Sequence, residues 1–179
     1  ELGYAALKEE LGYSMIWSRR TLPVQALTCF LKMAKFAKKK PGLAKVCEEL
    51  KPMGEPREKA MMNLVASICY ASYFTHSTFL NVLGIVKAVE ITLEYGIGQN
   101  TGLGFTSFGL LLIAIREDFD LALEFAQVGL RLGELVPSRH GATMYNGYTY
   151  VLHWKMPLQS CLEPLHQAYI LSMRAGDAP

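Results

Sequence analysis

Four glycines and an Asn-Thr pair stand together in EYGIGQNTGLGF, Glu94 to Phe105, directly before an apolar run. Glycine-rich loops of this kind cradle phosphates when their backbone amides converge and a Lys-Ser/Thr pair follows the last glycine. Here Gly102 and Gly104 are followed by Leu103 and Phe105, so neither ammonium nor hydroxyl is in place. The dinucleotide pattern wants a third glycine five residues after the first, yet Thr101 and Leu103 occupy those positions. It also wants a strand in front, where the preceding residues read as helix. NTGLGF looks superficially like the last glycine box of a histidine-kinase ATPase domain, but the Asn-bearing helix and the Asp-x-Gly-x-Gly box are missing. The expectation is an interhelix turn, with Gly96 closing one helix and Asn100 or Thr101 capping the next.

Other stretches carry weaker chemistry. LKMAKFAKKKPG, residues 31 to 42, sets Lys32, Lys35 and Lys39 on one face near a helix end, where cations suit the helix dipole. A solvated face is the ordinary fate of such a run; a phosphate or nuclear-import role is the rival. Arg139 and His140 in PSRHG stand at a helix start where an anion would be favoured, and with the lysines they form a weak candidate interaction surface. REDFD, residues 116 to 120, reads as a turn with acidic caps, and Trp154 in HWKMP as a packing anchor. His153, Cys161 and His166 match no zinc spacing and lack a fourth ligand, so no metal and no cofactor are expected. The four cysteines form no CxxC and fit reduced core thiols, which suits a cytoplasmic setting. No nucleophile, base and orienter come at supporting spacings, so the segment is not expected to be an enzyme.

These residues must be positioned by helices. Alternating strand patterns are nearly absent, whereas Pro, Gly and Ser/Thr/Asp punctuation recurs at helix-like intervals. Helices are predicted from Pro23 to Lys39, Leu43 to Leu50, Arg57 to Tyr73, Ser77 or Thr78 to Gly96, and Thr101 to Arg116. Three more are predicted from Asp118 to Leu135, Ser138 to His153 and Pro157 to Ala175. A period of about 40 residues runs through them. Phe119, Ala122, Ala126 and Gly129 map forward by 39 onto Leu158, Cys161, Leu165 and Ala168, and back by 40 onto Phe79, Val82, Val86 and Val89. Phe105 and Phe108 map onto Met144 and Gly147, with Leu112 onto Val151. Small residues at these spacings let partner helices approach closely. The expected fold is therefore all-α: a right-handed α-solenoid segment with three helix pairs at 57–96, 101–135 and 138–176. Residues 1–55 form N-terminal helices of open role.

Net charge of +2 gives no general field for nucleic acid, and none is expected as a partner. Hydrophobic content of 51% against 19% charged exceeds an ordinary soluble domain. Stacking of interior helices accounts for that surplus. A membrane-embedded bundle over residues 60–115 is the alternative, since both 61–86 and 95–115 are free of charge. Polar interruptions at Thr75-His76-Ser77-Thr78 and in the glycine loop count against it. A small-ligand or nucleotide-binding helical domain is the third reading. The opening Glu1-Leu2-Gly3 reads as a segment of a longer protein.

The pattern DFDLA with Gly129-Leu130 is similar to the second helix of a tetratricopeptide unit, and Phe108-Gly109 resembles the Leu-Gly of its first. The tryptophan and terminal proline of that unit are missing, and its period is 34. From about residue 58 onward, GIVKAVEITLEYGIGQNTGLGFTSFGLLL, EDFDLALEFAQVGLRLGE and HWKMPLQSCLEPLHQAYILSMRAGD resemble the helical-repeat region of very large multidomain sensor kinases. In that family a protein-kinase-like domain and an AAA- or STAND-type ATPase precede the repeats, and GAF and histidine-kinase domains follow. The resemblance implies a non-catalytic interaction or coupling module whose partner is a protein or a neighbouring domain. It transfers no catalytic residue.

Overall fold

The computed structural model describes residues 2–15, 18–38, 42–136, 138 and 140–175. Among them the chain is helical throughout, its one extended feature being an isolated bridge between Pro52 and Ile97. A short α1 (Leu2–Ala5) runs into a π-helical turn at Ala6–Glu10. Then come α2 (Leu22–Ala37), α3 (Leu43–Glu48), α4 (Pro56–Phe74), α5 (Thr78–Tyr95) and α6 (Thr101–Arg116). After these stand α7 (Phe119–Leu135), α8 (Gly141–Leu152), a 3₁₀ turn at Leu158–Cys161 and α9 (Leu162–Ala175).

Local chemistry explains the boundaries. Pro56 occupies the first turn of α4, where a missing N–H costs nothing, and the Glu58 carboxylate accepts from the Glu55 N–H at 3.4 Å. Gly96 ends α5 with φ 105, a conformation that only glycine enters without strain, and a side chain there would run into the Lys51 carbonyl. Asp118 caps α7 by accepting from the Leu121 N–H at 3.3 Å.

Neighbouring helices α4 and α5, α6 and α7, and α8 and α9 pack against each other, and α6 and α7 make the most extensive contact among the described residues. That seam is close because Gly109 faces the Ala122 carbonyl, and Gly129 faces the Phe105 Cβ and the Gly102 carbonyl. Further contacts tie α5 to α6, and α8 to both α6 and α7. The described residues before Pro56 are part of the same body: α2 lies on α5, α3 touches α7, and Leu7, Phe30 and Leu43 are buried with the rest of the core. No described helix is long and apolar enough to cross a membrane.

Two predicted helices are corrected. The segment from Ser138 begins its helix only at Gly141, and the segment from Pro157 opens with a 3₁₀ turn before α9. That turn changes the rotation of side chains relative to a continuous helix, with consequences for the residues within it.

Candidate functional site

Several amides of the glycine loop are engaged internally. Gly96 N–H donates to the Thr92 carbonyl at 2.9 Å and Ile97 N–H to the Lys51 carbonyl at 2.8 Å. Gly98 N–H donates to Thr101 Oγ1 at 2.9 Å, and that hydroxyl lies 2.9 Å from Thr92 Oγ1. These bonds, with Met53 N–H donating to the Ile97 carbonyl at 2.9 Å, pin the loop to the 51–53 segment as a turn. Asn100 holds the N-cap position of α6 but makes no side-chain cap. Its carboxamide turns away and donates through Nδ2 to Asn63 Oδ1 of α4, at 3.0 Å.

That cross-link marks one end of a groove between α4 and α6. The two helices barely meet directly, and α5 forms the floor through Ile85 and Ala88. One hollow of about 290 Å³ is walled by Tyr73 and Cys69 from α4 and by Leu103, Leu110 and Leu111 from α6. Beyond Asn100 lies a more polar hollow of about 610 Å³, bounded by Asn63, Ser67, Tyr70, Gln99 and His140. Tyr70 Oη and His140 Nδ1 stand 3.1 Å apart, and their rings tilt together at 5.2 Å between centroids. No Asp, Glu, Lys or Arg lines either hollow among the described residues. Burial pushes the Cys69 thiol up to about 12, which leaves it protonated and unreactive at neutral pH.

The residues singled out in the sequence distribute differently. Val82, Val86, Phe105, Phe108, Ala122, Ala126, Gly129, Met144, Val151, Cys161 and Ala168 are all buried. Phe119 is half-buried, its ring 5.8 Å from that of Trp154. Three residues of the expected packing set face outward: Phe79 is 51% exposed, Leu158 70% and Leu165 44%. Phe79 stands in the first turn of α5, where that helix begins. Leu158 falls in the 3₁₀ turn, and Leu165 lies at the uncovered edge of α9, next to the buried Ala168. Lys32 and Lys35 are exposed, His140 is half-buried against Tyr70, and Lys39 and Arg139 lie outside the described residues. Among the described residues no three His, Cys, Asp or Glu side chains gather as a metal site would require.

The local signal of the groove in the sequence is Asn63, set within the largely apolar MMNLVASICY of α4, a polar residue whose partner lies 37 positions away.

The chain has no significant match among family models, curated proteins or solved structures. The site therefore rests on its own geometry.

Proposed function

We propose that this chain is a non-catalytic helical-repeat module, of tetratricopeptide-like α-solenoid type, that binds a protein partner or couples neighbouring domains in a larger cytoplasmic signalling protein. The observation that carries this reading is the outer face of α9. Leu162, Leu165, Tyr169 and Met173 are all exposed, at steps of three, four and four residues. Such spacing makes one stripe along a helix, the pattern that a second helix covers. Trp154 and Met156, in the turn that precedes it, are also exposed apolar side chains. Contiguous apolar faces of this kind mark interaction surfaces. The resemblance to the repeat region of multidomain sensor kinases adds the setting, between an ATPase and a histidine kinase, in which such a face would pass movement between domains.

The test is a triple change, Leu162→Glu, Leu165→Glu and Tyr169→Glu. Circular dichroism and thermal melting should match the parent, while self-association and hydrophobic-dye binding fall sharply. A variant that loses its helical signal would place these side chains in the core and end the interaction reading.

A further inference from the structure

The groove between α4 and α6 separates its polar and apolar parts, and a buried acceptor at their junction has no partner. Asn100 is 6% exposed, its Nδ2 is committed to Asn63, and its Oδ1 is buried without a hydrogen bond. Leaving such an atom unpaired costs more than an ordinary hydrogen bond contributes, so the position calls for a donor. The side chain borders both hollows.

We infer that this groove binds an uncharged amphiphile whose neutral N–H or O–H donates to Asn100 Oδ1 while its apolar body fills the hollow against Ile85, Leu103 and Leu111. Three features select that class. A cavity of about 150 Å³ holds benzene, so the 290 Å³ hollow suits a body of about ten heavy atoms. The absence of charged lining among the described residues disfavours an ion, which would lose hydration without gaining a counter-charge. An extended peptide would carry a polar backbone group every 3.3 Å or so into the apolar stretch and leave most of them unpaired. A head-and-tail molecule meets both ends of the groove.

Three isosteric probes test it on the full chain: octanamide, octanoate and methyl heptanoate, which share an eight-carbon count and differ in donor and charge. Chemical-shift titration should show octanamide binding about tenfold more tightly than the donor-free ester, with the anion weaker than octanamide by a similar factor. Ser107→Trp, which fills the hollow from α6, should abolish octanamide binding while the chain keeps its melting temperature. Asn100→Leu should retain the ester and lose the preference for the amide. Should that variant fail to fold, the probe comparison and Ser107→Trp decide the matter alone. Equal binding of amide and ester, unaltered binding by Ser107→Trp, or no octanamide binding at millimolar concentration would each overturn the assignment. None of these outcomes depends on the α9 face.

Discussion

Phe30 of α2 and Phe108 of α6 meet with ring centroids 5.3 Å apart and planes inclined by 35°. Phe108 continues to Phe125 of α7 at 4.5 Å, and Phe125 to Phe105 at 5.7 Å. All four rings are fully buried, so one aromatic chain crosses from the N-terminal helices through the centre of the body. Tilted pairs at such separations exceed the value of their buried area alone.

Phe108→Ala should therefore cost about 3–5 kcal/mol, because it removes a buried ring and breaks two ring contacts. Phe30→Ala should fall in the same range if α2 is integral to the core. Chemical denaturation with a single cooperative transition checks both. A melt in which Phe30→Ala leaves stability untouched would show α2 to be a separable appendage.

The α6–α7 seam depends on what glycine lacks. A Cβ on Gly129 would lie 2.7 Å from the Phe105 Cβ and 3.0 Å from the Gly102 carbonyl, and neither group can swing away. Alanine gains about 1 kcal/mol of helix propensity, but overpacking against backbone costs about 1–3 kcal/mol. Gly129→Ala should thus be destabilising on balance, and Gly109→Ala, which meets the Ala122 carbonyl at 2.8 Å, likewise. Gly54→Ala, with nothing within 4 Å of the new methyl, should be near neutral and serves as the control. Thermal melting of the three variants decides whether the seam is as close as described.

Much of the helical layout was readable because caps and breakers are local signals. The Thr101–Arg116 helix coincides with α6 at both ends, Gly96 stops α5, and Asp118 caps α7. The misreadings share one cause, the use of periodicity where a neighbour decides. Leu158 and Leu165 keep the interval of the repeat, yet a 3₁₀ turn and an uncovered flank of α9 set them facing outward. The sequence leaves the role of residues 1–55 open for the same reason, since nothing in FLKMAKFA says that Phe30 reaches Phe108. The groove needs three helices, and the link from Asn63 to Asn100 that closes its end is a long-range contact with no local trace.

Asp118 joins two parts of the chain, its carboxylate accepting from Lys38 Nζ at 2.5 Å while also capping α7. The Lys38 hydrogen bond, with help from the Leu121 N–H and against partial desolvation, holds the Asp118 carboxyl below the usual carboxylate range. A folded value below the unfolded one means that the stabilisation is whole above about pH 4 and is withdrawn as pH falls through the folded value. Asp118→Asn should keep a competent cap but lose this contribution. Its melting temperature should be lower than the parent's near neutrality, and the difference should shrink on going from about pH 5 to about pH 3. Parallel acid profiles for the two chains would show that the ion pair has no influence on folding.

Thiol labelling reads the packing directly. Burial pushes Cys69 up to about 12 and Cys47 up to about 11, and it raises Cys29 as well. At pH 8 a thiol with the Cys69 value is ionised in only about one molecule in ten thousand, and the thiolate is the reacting species. Cys69 is further enclosed by the Gly84 backbone, where no side chain intervenes between α4 and α5. A disulfide reagent should therefore modify the buried Cys47 at a rate set by opening of the fold rather than by reagent concentration, Cys69 slowly because little of it is thiolate, and all four cysteines promptly in guanidinium. Mass mapping of the modified peptides assigns each rate to its residue. Prompt labelling of Cys47 in the folded chain would mean that the contact of α3 with α7 is loose.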